Sequence, residues 1–325
     1  MEGKESRTGS MISVIVTVYD RTEFFGEALD SLENQTLDKT KFEVIIVTNS
    51  QLKISKQYSF KCKIHMSQET RLAPKLLEGI RLSKGDLITF LEDDDLYLPD
   101  RLERILEVFS KNTELILYHN RSLNFKNDES KILVKSSRKN GKSPKRFLVF
   151  SRKDNKLILG FKPDYNTSSQ AINILRLSVY VEFLSSLGNK YIDAFFFFSA
   201  LDSGSPIFID EHIGTLRRVH KRNASMFGSL KSNGQLSNDL FEIRNFGLSV
   251  GIINDLNFRC FLKKTELDEL MASGSLSRKE CFRRYIEILK VYRNPLKDVI
   301  ISIKAVSCLT FPVLLGALIK VFYSQ

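Results

Sequence analysis

Residues 86–101 read DLITFLEDDDLYLPDR. An apolar run, Leu87 to Leu91, stops abruptly at four acids, Glu92, Asp93, Asp94 and Asp95. Leu98-Pro99-Asp100 then signals a helix start, with proline near the first turn where its missing N–H is not needed. The pattern predicts a buried strand that delivers carboxylates to its C-terminal edge, the side of an open α/β sheet where ligands bind. Four adjacent like charges repel one another. A cation is therefore expected beside them, most simply a divalent metal held by hard oxygen ligands. The plainer alternative is that these acids only cap the next helix, a task for which one would suffice; Asp95 or Asp100 could do it alone.

Upstream, ISVIVTV (12–18) and EVIIVT (43–48) are β-branched runs of the kind found in strands buried on both faces. Residues 22–36 and 71–83 carry apolar side chains at helical spacing, and 99–110 is a third amphipathic segment. The resulting β-α-β-α-β-α order predicts a mostly parallel sheet covered by helices. The stretch between the second strand and 71 is polar. Downstream, 115–135 reads as short strands, 175–187 and the aromatic segment 192–202 as helices, 206–210 and 213–219 as strands, and the chain from about 235 as helical. Ser277-Arg278-Lys279-Glu280 is a capping box, and its helix ends before Pro295.

The 325 residues carry a formal charge of +11, which suits nucleic acid, anionic membrane or phosphorylated small molecules as partners. The usual nucleic-acid motifs are missing, so nucleic acid is not expected. Cys62, Cys260, Cys281 and Cys308 have no metal-binding spacing and read as free thiols in a reducing compartment. No secretory leader is legible in the first residues, so the sequons at Asn166 and Asn223 carry no weight. A basic segment, 135–156, with Gly141, Ser143 and Pro144, is either a solvated loop or a lid that meets phosphates. Near the C-terminus, AVSCLTFPVLLGALI (305–319) lies uncharged between Lys304 and Lys320. As a helix it would cover about 22 Å, short of the roughly 30 Å hydrocarbon core. Membrane contact, a buried core helix and a partner-binding helix all remain open for it, with its basic surroundings favouring the membrane.

Five segments, taken in order, resemble the family 2 glycosyltransferases with the GT-A fold. ISVIVTVYDR (12–21) is similar to the family's opening strand and turn, EALDSLENQT (27–36) to its first helix, and GIRLSKGDLITFLEDDDLYLPDRL (79–102) to its metal-binding block. YIDAFFFFSALDSG (191–204) has the spacing of its acidic residue, helix and terminal glycine. RRVHKRNAS (217–225) resembles its final His…Asn…Ser segment. The resemblance covers about residues 11–225. It implies a Rossmann-like α/β fold, mostly parallel; outside it, composition and pattern read 226–297 as a helical extension, 298–325 as an apolar membrane-associated tail and 1–10 as a disordered tail.

The resemblance also implies roles. Asp94 would bind the metal, Mn²⁺ or Mg²⁺. Asp93 would share it or contact the donor ribose, and Asp20 would line the nucleotide pocket. Asp193 would be the general base, because a sugar hydroxyl is a poor nucleophile until a positioned carboxylate takes its proton. Phe195 to Phe198 are expected to raise its pKa; Asp193 could also cap its helix. Arg217 and His220, with Arg218, would meet the phosphates. Two positions depart from the family pattern. Thr48-Asn49 stands where an Asp-Asp pair usually helps to recognise the base. Leu76-Leu77 stands where an Arg-Asn pair is usual, with Arg71 and Lys75 nearby as substitutes.

The expectation is a metal-dependent inverting enzyme at the cytoplasmic face of a membrane. It would use a UDP- or GDP-sugar and a glycan or lipid-linked acceptor. The alternatives are a non-catalytic relative that binds nucleotide sugar or glycan, and a nucleotidyltransferase; the latter lacks its expected glycine- and lysine-rich loop.

Overall fold

Strand β1 (Ile12–Val18) is buried at every position, as a β-branched run covered on both faces should be. The computed structural model to which it belongs describes residues 11–19, 22–54, 56–126, 129, 147–151, 159, 162–220, 237–272, 277, 279, 280, 283 and 284. β1 pairs in parallel with β2 (Phe42–Thr48) on one side and β4 (Leu87–Glu92) on the other, with Ile12 opposite both Phe42 and Leu87. β3 (Lys61–Met66) extends the parallel half beyond β2. It is mostly exposed, and its outward lysines protect an open edge from further pairing. Helices α1 (Phe25–Glu33), α2 (Leu72–Leu82) and α3 (Arg101–Lys111) follow β1, β3 and β5.

The other half of the sheet runs through β8 (Gln170–Asn173), antiparallel to β4, then β6 (Leu117–Phe125) and β9 (Ile207–Arg218). β5 (Leu96–Tyr97) and β7 (Phe147–Phe150) pair antiparallel with β9. Nine described strands thus form one mixed, mostly parallel sheet, flanked by helices. Gly214 on β9 permits a close approach, since a Cβ there would lie 3.0 Å from Asn120 and 3.1 Å from Arg101. α4 (Ile174–Leu177) is a single turn, and α5 (Ile192–Asp202) carries the four phenylalanines. All four are fully buried, as befits a helix apolar on every side.

The Gln35-Thr36 pair ties α1 to the acidic turn. Gln35 Nε2 donates to the Leu98 carbonyl at 2.9 Å, and its Oε1 accepts from Leu102 N–H at 3.0 Å, which caps α3. Thr36 N–H donates to the Pro99 carbonyl at 2.7 Å. Asp100 precedes α3 but makes no side-chain cap; its carboxylate pairs with His212 at 3.1 Å. Capping by Asp100, open on sequence alone, is thus replaced by capping from Gln35.

Four expectations need correction. The polar stretch before 71 contains β3, whose charged exterior hid its strand character. The helix over 175–187 is only the turn α4 followed by a 3₁₀ segment, Val181–Ser185. The strands at 206–210 and 213–219 are one strand, β9, with register shifts against β6 around Arg121. The short strands of 115–135 are, as far as 126, the single strand β6. The 298–325 tail and most of the basic 135–156 segment lie outside the described residues. Among those described, no helix is long and apolar enough to cross a membrane.

The chain divides into two units. The first comprises Met1–Asp154, Asp164–Gly188 and Ile192–Arg218; the second comprises Asn155–Pro163, Asn189–Tyr191 and Val219–Gln325. The second contains α6 (Asn238–Ser249) and α7 (Leu256–Ala272). Ser237 Oγ caps α6 by accepting from Leu240 N–H. Glu269 on α7 accepts from Tyr191 Oη at 2.5 Å and Ser237 N–H at 2.7 Å, which fixes three separate segments to one carboxylate.

Candidate active site

β4 ends in the acidic turn as the sequence predicts. Asp93, Asp94 and Asp95 are each at most 4 % exposed. Oxygens of Glu92, Asp94 and Asp95 lie within 4.8 Å of one another. That trio shares Asp94 with the expected pair of Asp93 and Asp94. Burial, then Asp94, pushes the Asp95 carboxyl up to about 7. Burial, followed by Asp95 and Asp94, raises Glu92 well above the carboxylate range. Asp95 Oδ2 is buried with no hydrogen-bond partner among the described residues. A buried acceptor-only atom among other carboxylates is what a hard cation satisfies, so the residues fit a divalent metal.

The turn is clamped from β9. Arg218 N–H donates to Asp95 Oδ1 and its Nε to the Asp94 carbonyl, both at 3.0 Å. The guanidinium packs over Phe24 and Phe125 and pairs with Glu27 at 2.8 Å. Arg218 therefore holds the turn in shape. Its neighbour Arg217 lies over the Tyr165 ring and lowers the pKa of both Glu92 and Asp95.

Asp193 stands in the first turn of α5. Phe196 on that helix stacks on Phe90 of β4 with ring centroids 4.8 Å apart. One aromatic contact thus links Asp193, three residues before Phe196, to Glu92, two residues after Phe90. The Asp193 carboxylate accepts from Asn166 N–H at 2.8 Å and from Ala194 N–H at 2.9 Å. The second bond satisfies an N–H in the first turn of α5. Burial chiefly, then the charge of Asp164, pushes Asp193 up to about 6 against these two bonds.

Segment 164–170 joins the two acidic regions, and sequence reasoning missed it. Asn166 has φ 67°, a left-handed conformation that asparagine tolerates better than most residues. This bend aims its N–H at Asp193. Two residues on, Ser168 Oγ accepts from Glu92 N–H at 3.1 Å and also bonds Asp95. Gln170 Nε2 donates to the Asp193 carbonyl at 2.8 Å. Burial first, then the charges of Arg217, Asp193, Asp95 and Glu92, act on the Tyr165 phenol and leave it raised to about 12. Tyr165 is therefore within electrostatic reach of both carboxylate groups. The signal available in sequence was the Tyr-Asn-Thr-Ser-Ser run, in which polar residues sit just before a buried strand.

At the ends of β1 and β2, Lys75 is buried, and its ammonium donates to the Val18 carbonyl at 3.1 Å and Asn49 Oδ1 at 3.0 Å. Thr48 is committed to its own turn, donating to the Ser50 carbonyl and accepting Ser50 N–H, both at 3.0 Å. Arg71 donates to the Ser185 carbonyl at 3.2 Å and pairs with Glu69 at 3.3 Å. His220 belongs to the second unit, and Asp20 lies outside the described residues.

Residues 13–169 match the family model of glycosyl transferase family 2, and this segment of the chain belongs to that family. A glycosyltransferase of Haemophilus influenzae is 34% identical over 114 residues, 34% of this chain and 38% of that protein. The poly(ribitol-phosphate) beta-glucosyltransferase of Bacillus spizizenii is 34% identical over 113 residues, 32% of this chain and 18% of that protein. The matched segment thus spans well under half the length of these curated relatives. The crystal structure of S. aureus TarS in complex with UDP-GlcNAc superposes with a TM-score of 0.54 at 12% identity, covering 87% of this chain and 81% of that one. This last likeness establishes the GT-A fold.

Proposed function

We propose that this chain moves a sugar from a nucleotide-diphosphate sugar to a hydroxyl acceptor with inversion at the anomeric carbon. The observation that carries the reading is the convergence of an acidic turn and a separate, basic carboxylate on segment 164–170. Asp193, whose pKa of about 6 leaves it ionised at neutral pH and still a useful base, takes the acceptor hydroxyl proton as that oxygen attacks. The new C–O bond forms as the bond to the diphosphate breaks, the electron pair leaves with the diphosphate, and the proton remains on Asp193. The Asn166 and Ala194 N–H groups hold the carboxylate in place during the transfer.

Glu92, Asp94 and Asp95 would hold a divalent cation, Mn²⁺ or Mg²⁺, which supplies charge compensation for the departing diphosphate. Asp93 neighbours them and remains a candidate for the donor ribose. Arg217 adds positive charge on the same side. The family match supports sugar transfer. TarS, crystallised with UDP-GlcNAc and with UDP, supports a nucleotide-sugar donor. A glycan or lipid-linked acceptor and a membrane-surface location are further parts of the proposal, resting on the basic charge and the uncharged run at 305–319.

The test is transfer or hydrolysis of a panel of nucleotide sugars with Mn²⁺, by wild type and Asp94→Ala. Turnover by wild type that the variant loses supports the proposal. Donor binding without turnover in both proteins would mean a binding protein instead.

A further inference from the structure

A groove lies wholly within the second unit, lined by α6, its cap Ser237, the 3₁₀ turn Ile252–Asn254 and α7. Its volume is about 530 Å³, a size that small-molecule sites commonly have. Helical spacing puts Phe241, Arg244 and Leu248 on one face of α6. The same spacing puts Arg259, Leu262, Lys263 and Glu266 on one face of α7. Phe241 and Leu248 are 61 % and 56 % exposed, although both are large and apolar. Ile253 adds a further apolar side chain to the lining.

Three cations line the groove. Arg244, Arg259 and Lys263 are all exposed, and none has an ion-pair partner among the described residues. Arg259 and Lys263 stand one helical turn apart, where like charges repel and weaken a helix. The acids of α6 and α7 do not relieve them. Glu266, in the lining, pairs with Arg284 at 3.1 Å. Asp268 pairs with Lys264 at 3.6 Å, and Glu269 is held by Tyr191 and Ser237. Asp239 accepts from the N–H groups of Asn189 and Lys190, and Glu242 lies outside the lining. Surplus positive charge therefore stands beside exposed apolar surface, a combination that marks an interaction site.

We propose that this groove binds a lipid phosphate. Arg244, Arg259 and Lys263 take the phosphate head through charge-assisted hydrogen bonds. Phe241, Ile253 and Leu262 cover the adjoining part of its hydrocarbon chain. A free phosphate or a sugar phosphate leaves those apolar side chains in water. An uncharged lipid leaves three cations uncompensated. Single-stranded nucleic acid needs a row of aromatic platforms, and the described lining offers one, Phe241. The inference is independent of the nucleotide-sugar reading, which concerns the first unit.

The experiment is calorimetric titration of the full chain with dihexanoylphosphatidic acid, dihexanoylphosphatidylcholine and inorganic phosphate. Below its critical micelle concentration the short-chain lipid offers no bilayer to the uncharged run at 305–319. The expected Kd for phosphatidic acid is about tenfold or more below that for either comparison ligand. Arg259→Glu combined with Lys263→Glu should raise that Kd about tenfold or more, with an unchanged circular dichroism spectrum. Phe241→Ser should raise it about threefold or more. Phosphatidylcholine bound as tightly as phosphatidic acid overturns the role of the cations, and inorganic phosphate bound as tightly overturns the lipid. An affinity that the charge reversal leaves unmoved overturns the assignment to this groove. No binding of phosphatidic acid overturns the proposal outright. Should the double variant fail to fold, Arg244→Gln, at an exposed position, decides the location by the same rise in Kd, about threefold.

Discussion

The acidic turn after β4 and the carboxylate of Asp193 are two anionic regions in one unit, both raised first by burial, and they differ in how many acids crowd them. In the turn, Glu92 and Asp95 are raised by burial and by one another's neighbours, so the charge is crowded. Asp193 is raised mainly by burial, while two backbone N–H groups stabilise its anion. Crowded acids need a cation supplied from outside. A carboxylate with its own donors can remain ionised alone and wait for a proton. Sequence counts both simply as acids; their surroundings suit the proposed roles, cation holder for the turn and base for Asp193.

The strongest way to break this comparison is Asp94→Ala. Removing one oxygen ligand from the trio is expected to lower turnover about 1,000-fold or more, since charge compensation of a leaving diphosphate is worth several kcal/mol. A steady-state assay with and without added Mn²⁺ checks it. Asp193→Asn comes next. It keeps the size of the side chain and removes the base, so kcat should fall by about 100- to 1,000-fold with donor Kd unchanged. Donor affinity falling in step with kcat would move Asp193 out of the base role.

The pH profile sharpens the contrast. As the proposed base, Asp193 acts deprotonated, so kcat should fall about tenfold per unit below a pKa of about 6, and Asp193→Asn should lose that acidic limb. Stability should respond in the other direction at the acidic turn. Carboxyls raised in the folded state bind protons that the unfolded chain has lost. Without metal, the turn's contribution to stability is therefore greatest below the ordinary carboxylate pKa and declines as pH rises towards about 7. Mn²⁺ should accordingly raise Tm more at pH 8 than at pH 5, by several degrees, which thermal melting with and without chelator would read.

The smallest catalytic effect is expected at Arg101, which ties β4 to β6 and β8. It is fully buried and stacks over Tyr97 with its guanidinium 3.9 Å from the ring centroid. It donates to Thr89 on β4, Asn120 on β6 and the Gln170 carbonyl. Arg101→Met should cost about 2–4 kcal/mol by leaving those acceptors unpaired, measured by denaturant unfolding, with a modest loss of kcat.

The strands β1, β2 and β4, the acidic turn and the aromatic helix were legible because each is a contiguous pattern: a β-branched run, a charge block, or four phenylalanines in a row. Asp193 was singled out by the resemblance of 191–204 to the family's spacing of acidic residue, helix and glycine. The exposed strand β3 and the single turn at 174–177 were not legible, since pairing partners and packing decided them against local composition. Segment 164–170 was missed because its task lies in a backbone N–H and a serine hydroxyl, neither of which leaves a pattern.

Sequence by itself determined that a parallel α/β core would carry acids at one strand end, because periodicity and charge are local properties of the chain. Tertiary structure alone decided which acids share a site, that Lys75 turns the Asn49 amide, and that Ser168 reaches Glu92 across 76 positions. Those contacts join residues far apart in the chain, and their energies exist only once the sheet has brought its strand ends together.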